Sequence, residues 1–196
     1  MSVLKRLGTP VFYVEGVPTD LNRDNWRLDV DGLVAGPRSF RFAELEAMPI
    51  ATVDARLTSV SGWSVRAAWQ GIRFSDFLAH ARPRAAATDV LFSSHGGYTT
   101  SVPLADLGYE KVLVCYKAAD EFLEPEYGGP VRMFIPQLWG YKSIKGLVRM
   151  TFNDHAVPGY WEQRGYTEHA AVEPGVTLDI NSKRRRQIAG GEVSEF

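Results

Sequence analysis

Short runs with a period of two recur along this chain, and no segment between them is long enough for a regular series of helical crossovers. "WRLDVDG" sets Trp26, Leu28 and Val30 against Arg27, Asp29 and Asp31 and ends at Gly32, the pattern of a half-buried strand running into a turn. "ATVDARLTSV" repeats the alternation through Val53, Ala55 and Leu57. "DVLFSS", "YTTSVPL", "KVLVCYKA", "VRMFIP" and "LVRMTF" are further strand candidates, rich in β-branched and aromatic residues. Helical signals are brief: "FAELEAM" stops before Pro49, "SDFLAHA" has Ser75 in the place of an N-cap, and "PLADLG" runs from Pro103 to Gly108. The pattern predicts an α+β fold of mixed β-sheets with short helices rather than a doubly wound parallel sheet. The periodicity fades after Asn153, which predicts one domain over residues 1–152. Residues 153–196 are then an extension packed on the same domain, with a loose end.

Charge and cysteine content exclude several classes. The formal net charge is −1, so no global field draws the chain to nucleic acid or an anionic bilayer, and any anion must be met by a local cluster. No apolar run approaches the roughly 20 residues of a membrane span. The N-terminal "MSVLKRLGTPVFYVEG" has a basic pair without the apolar core of a signal peptide. Cys115 is the one cysteine and lies in an apolar run, so it reads as a buried core thiol and a cytoplasmic location is expected.

One basic, glycine-punctuated segment carries the donors that an anion needs. In "EYGGPVRMFIPQLWGYKSIKG", Arg132 sits in a strand-like run, and Lys142, Ser143 and Lys145 follow Gly140. A guanidinium fork, an ammonium and backbone amides at a turn together make a phosphate cradle; ion pairs and a solvated face are the alternative for the same residues. Tyr141 and Lys145 also satisfy Tyr-x-x-x-Lys, but the strand–glycine loop–helix context of a dinucleotide site is absent from the first forty residues. His80, His95, His155 and His169 are scattered without a metal-ligand spacing. "SKRRRQ" (182–187) concentrates cations near the C-terminus, read as a solvated mobile tail or, less readily, a contact for an anionic partner.

"RLTSVSGWSVRAAW" (56–69) reads as a loop built to present Ser59. With "TPVFYVEGVP", "WRLDVDGLVAGPRSFRFAELEAMP", "YTTSVPLADL" and "YGGPVRMFIPQLWGYKSIKGLVRMTF" in this order, the chain over residues 9–152 resembles the molybdopterin-binding domain of the sulfite oxidase family. The likeness is to its bacterial branch, which includes the catalytic subunit of a periplasmic methionine-sulfoxide reductase. The resemblance implies a small-molecule substrate, one Mo-molybdopterin, and oxygen-atom or electron transfer on a small oxo-substrate. It also implies a separate haem- or flavin-bearing electron partner, because the chain has no motif for either group. Residue by residue, it places the pterin contacts at Phe12, Tyr13 and Val14, at Ser94, at Tyr127, at Arg132, and at Ser143, Ile144 and Lys145, while Lys142 stays a candidate from the basic segment itself.

The family's metal-ligating cysteine stands in a motif like C-V-x-G-W-S, and here "SVSGWS" puts Ser59 at that position. Ser59 can ligate molybdenum as an alkoxide, a harder donor than thiolate, or hydrogen-bond a ligand of the metal in a cofactor-binding but inactive or altered protein. Sulfite oxidation needs arginines about the reacting group, for which Arg56 and Arg66 flank the loop. The "C-A-G-N-R" loop of plant and animal sulfite oxidases is not matched, which favours the reductase-like branch. Trp63 and Trp69 read as pocket wall or core.

Overall fold

In the computed structural model, residues 2–193 and 196 are described. In chain order the elements are α1 (Val3–Arg6), β1 (Arg27–Gly32), β2 (Arg38–Arg41), α2 (Phe42–Glu46), β3 (Ala51–Ser59), β4 (Trp63–Arg73) and α3 (Phe74–Ala81). There follow β5 (Asp89–Ser94), β6 (Thr99–Pro103), α4 (Leu104–Leu107), β7 (Leu113–Ala118), β8 (Glu121–Phe122), β9 (Arg132–Phe134), β10 (Leu147–Asn153), β11 (Gly175–Leu178) and β12 (Arg185–Ile188). Short 3-10 turns at Pro125–Tyr127, Gly140–Lys142 and Glu162–Arg164 punctuate the second half.

Two larger sheets organise these strands. One has the order β2-β1-β10-β5-β6, in which only the β1–β10 pair is parallel; the other runs β3-β4-β7-β8, with β9 paired to β7. Alternation decides which side of each strand is buried. Leu28 and Val30 of β1 join Trp26, Phe40, Phe74, Phe77, Phe92 and Phe152 in the larger core. Val53, Ala55 and Leu57 of β3 pack with Trp69, Leu113 and Phe134 in a second core. Trp69 stacks on Phe134 at 4.7 Å between centroids. Trp26 is fully buried, and its indole N–H donates to the Leu147 carbonyl at 2.7 Å, tying the strand entry to β10.

Some expectations need correcting. The α3 cap position is Arg73 rather than Ser75, because the helix starts directly out of β4 with Phe74 already in the core. Residues 56–69 are mostly not loop: β3 and β4 form a continuous hairpin with Ser59 opposite Trp63. Only Val60, Ser61 and Gly62 turn between them. Gly62 takes φ +89°, the left-handed residue that closes a three-residue hairpin loop. "SKRRRQ" is no free tail, since β11 and β12 pair antiparallel through it. The loose end expected of the extension falls partly on residues 194–195, outside the described residues.

Candidate functional site

The β3–β4 hairpin tip, the segment 10–15, the 3-10 turn at Gly140–Lys142 with the residues after it, and the C-terminal extension converge on one cavity of about 190 Å³. Of the residues expected in a site, Phe12, Tyr13, Val14, Ser59, Arg132, Ser143, Ile144 and Lys145 line it, and Trp63 forms wall. A second cavity of about 340 Å³ shares Val60, Tyr141 and Tyr166 with the first.

Arg132 is the unusual charge. Its side chain is buried, and its guanidinium donates to the carbonyls of Tyr127 (2.9 Å), Ser143 (2.9 Å) and Met133 (3.2 Å). No carboxylate lies within ion-pair distance of it among the described residues. Burial therefore presses its pKa below the usual arginine value. Lys145 sits close by: its ammonium donates to the carbonyls of Phe12 (3.0 Å) and Glu126 (3.1 Å) and lies 4.4 Å from the centre of the Tyr13 ring. Burial, then the nearby Arg132 charge, push the Lys145 pKa down to about 7. Gly128 explains the local sequence. At φ +100°, a Cβ there would come within 2.9 Å of Lys145 and 3.2 Å of Arg132, so only glycine lets both cations pack on one turn.

Ser59 is half-buried at the hairpin tip. Its hydroxyl oxygen accepts the Ser61 amide at 3.2 Å, and its carbonyl accepts the Gly62 amide at 3.0 Å. The strand alternation puts Ser59 on the same face as Leu57, which also lines the cavity. That same alternation corrects Arg56, which stands on the opposite face with its guanidinium donating to the Ser64 hydroxyl at 3.1 Å. Arg66 is also spent, on Asp54 (3.0 Å) and Glu192 (2.6 Å).

Three further expected residues do not line the cavity. Lys142 is turned inward, its ammonium bonded to the Ser101 carbonyl (2.7 Å) and the Glu162 carboxylate (2.5 Å) with both side chains 1% exposed. Tyr127 contributes its carbonyl to Arg132 while its ring is buried in the second core. Ser94 is buried behind the wall, where its hydroxyl donates to Glu15 at 2.7 Å and accepts the Tyr98 amide at 2.8 Å. The backbone amides of Lys142, Ser143 and Ile144 donate to Trp139, Gly140 and Lys142 carbonyls, so side chains carry most of the cationic character. Cys115 lies fully buried behind Arg132, outside the cavity, its thiol pushed up to about 12 by burial.

Several lining residues had no sequence signal. Glu15 and Tyr98 are two of them, and Trp161, Tyr166 and Asn181 come from the extension; Tyr141, noted only for a dehydrogenase-like pattern, lines the cavity as well. Phe12 stacks on Trp161 at 6.5 Å, and Tyr141 stacks on Tyr166 at 5.1 Å, so the extension supplies one aromatic wall. Burial raises the phenol pKa values of Tyr13, Tyr98, Tyr141 and Tyr166, leaving neutral hydrogen-bonding walls about the two cations.

A buried arginine without a carboxylate partner among the described residues, a lysine with a lowered pKa and an aromatic wall, set in an α+β scaffold, are features that suit an anionic, ring-containing group. The profile of the oxidoreductase molybdopterin binding domain matches residues 14–161, and the chain belongs to this family. The chain is 35% identical over 158 residues to the uncharacterized oxidoreductase YuiH of Bacillus subtilis, covering 80% of each. It is 28% identical over 190 residues to the protein-methionine-sulfoxide reductase catalytic subunit MsrP of Ralstonia nicotianae, covering 87% of this chain and 57% of the longer relative. Among solved structures, the sulfane dehydrogenase SoxCD of Paracoccus pantotrophus shares the fold at TM-score 0.69 and 22% identity, over 88% of this chain and 46% of that one. The fold is thus the sulfite-oxidase-type molybdopterin-binding fold, as expected. Among the described residues no helix is long and apolar enough to cross a membrane.

Proposed function

We propose that this chain holds one Mo-molybdopterin in the Ser59–Arg132–Lys145 cavity and works as an oxidoreductase on a small oxo-substrate. The observation that carries this reading is Arg132: a buried guanidinium held by carbonyls and the Trp69 ring, with no carboxylate beside it among the described residues, is stabilised when an anion arrives. The donor set fits the group. Arg132 and Lys145 suit the phosphate, Phe12, Tyr13, Tyr141 and Trp161 suit the ring system, and Ser59 faces the same space as an oxygen donor. When bound, the cofactor supplies the two-electron chemistry of oxygen-atom transfer.

The chain's own residues do the binding. Arg132 fixes the anionic end, while Lys145 gains its proton as negative charge approaches. Trp161, 9% exposed, and the Tyr141–Tyr166 stack cover one side of the cavity. Ser59 offers a hydroxyl whose oxygen already accepts one amide, leaving its proton free to donate or its oxygen free to coordinate. We assign residues 153–196 to the same unit as 1–152, supported by the Lys142–Glu162 ion pair and the Phe12–Trp161 stack. The likeness to MsrP, a catalytic subunit by name, supports a separate electron-transfer partner carrying haem or flavin.

The test is composition. Protein made in a host that assembles the cofactor should carry about one molybdenum and one pterin per chain, read by metal analysis and by the fluorescence of oxidised, released pterin. Pterin and metal with no turnover of a sulfoxide would place the chain with the cofactor-holding, inactive members. Absence of both would sink the proposal.

A further inference from the structure

The cationic run at 183–186 is held in a fixed place by the fold. Asp179, 4% exposed, gathers the turn of the β11–β12 hairpin: it accepts the Ser182 hydroxyl at 2.5 Å, the Tyr166 phenol at 2.9 Å and the Asn181 amide at 3.1 Å. Its own amide donates to the Arg184 carbonyl at 3.0 Å, and Lys183 takes φ +58° to close the turn. Tyr166 and Asn181 line the first cavity, so the turn is anchored at that cavity's mouth. Arg186 donates to the Val60 carbonyl at 3.3 Å, tying the hairpin to the loop after Ser59.

Register then divides the hairpin into two faces. Val176 stands opposite Gln187 and Leu178 opposite Arg185, so these four share one face, and Arg186 and Ile188 share the other with Thr177 and Gly175. Ile188 is buried, which makes that second face the inner one. The outer face exposes Val176 (66%) and Leu178 (42%) beside Arg185, with exposed Lys183 and Arg184 on the turn. None of the three cations is paired with a carboxylate among the described residues. An apolar centre with a charged rim is the composition of a transient protein interface. Arg185 stands on the outer strand face while Lys183 and Arg184 stand on the turn, so each can meet a separate carboxylate on an opposing surface. Crowding like charges on a rigid turn costs self-repulsion, which an acidic partner relieves.

We propose that the outer face of the β11–β12 hairpin, Val176, Leu178, Lys183, Arg184 and Arg185, docks the acidic face of a small electron-carrier protein at the mouth of the Ser59 cavity. The choice of an electron carrier rests on the functional reading above; the surface itself does not. With the whole chain at net charge −1, attraction comes from this patch and not from a global field.

The test titrates the isotope-labelled full chain, as purified, with flavodoxin as the acidic probe and follows backbone amide shifts. Expected are changes centred on residues 176–187, and a Kd at about 10 mM salt at least tenfold tighter than that of the Arg184→Glu/Arg185→Glu double variant, the gap closing near 0.5 M salt. Both substituted residues are exposed, so a matching thermal midpoint confirms that the variant folds. No perturbation, perturbation elsewhere, or equal binding by the variant overturns the proposal. Co-sedimentation with phosphatidylcholine vesicles containing about 30% phosphatidylglycerol, with flavodoxin leaving the hairpin untouched, overturns it in favour of a lipid surface. A chain free of molybdenum and pterin that still binds flavodoxin at the hairpin supports the docking surface while sinking the cofactor reading. A cofactor-loaded chain that ignores flavodoxin does the reverse.

Discussion

Lys142 and Glu162 form an ion pair at 2.5 Å with both side chains 1% exposed, and it joins the turn that precedes Ser143 and Lys145 to the C-terminal extension. Thr100 also donates to Glu162 Oε1 at 2.7 Å, while Oε2 has no partner among the described residues. Glu162→Ala leaves the ammonium buried against the Ser101 carbonyl alone. Breaking such a pair costs about 3–5 kcal/mol. For a chain of this size, that lowers the melting temperature by roughly 10 °C. Glu162→Gln keeps the shape and should fall between the two. Thermal denaturation at pH 7 checks the order, and an unchanged midpoint for the alanine variant would show that the pair adds nothing.

This pair also shows what was legible in the sequence and what was not. "GGPVR" and "YKSIK" pointed to the cavity that Arg132 and Lys145 line, the two-residue period located β1 and β3, and β-branched and aromatic runs located β5, β6, β7, β9 and β10, because those signals are local. Lys142 was expected among the anion contacts, yet it is claimed by a carboxylate twenty positions on, a choice that only tertiary packing makes. Arg56 could have been excluded from alternation alone, since it is three residues, an odd step, from Ser59. The aromatic wall from Trp161 and Tyr166 had no periodic signal, because the extension meets segment 10–15 across more than a hundred residues.

Lys145 makes ligand binding depend on pH. With its folded pKa lowered from 10.5 to about 7, the unfolded chain holds a proton between those values that the folded chain lacks. Stability in the absence of ligand therefore rises with pH across roughly 7 to 10, and this contribution is flat below that window. An anion in the cavity favours the ammonium, so phosphate binding near pH 8 takes up a proton and weakens as pH rises. Calorimetry in two buffers of different ionisation enthalpy reads the uptake, and Lys145→Met should abolish it. Equal heats after buffer correction for both proteins would refute the assignment.

Arg132→Lys separates charge from geometry. The ammonium keeps one positive charge but cannot reach the three carbonyls of Tyr127, Ser143 and Met133 as a planar fork does. Pterin retained through purification should fall at least about tenfold, while stability changes by only about 1–2 kcal/mol. Urea unfolding, run beside pterin fluorescence, measures both. Full pterin content in the lysine variant would mean that the phosphate end is held elsewhere.

Ser59→Cys tests whether the hairpin tip is a metal-facing position. The turn geometry is set by the Gly62→Ser59 backbone bond and the left-handed Gly62, neither of which depends on the hydroxyl, so the hairpin should survive the change. Sulfur is softer than oxygen and reaches further on its longer bond to carbon. A cysteine there should give cofactor-loaded protein a thiolate-type molybdenum EPR signal and raise sulfoxide turnover. Ser59→Ala should leave pterin content near that of the parent, because Arg132 and Lys145 remain, while altering the metal's spectrum. If the EPR spectra of the serine, cysteine and alanine proteins coincide, Ser59 does not touch the metal, and its hydroxyl serves only the Ser61 amide.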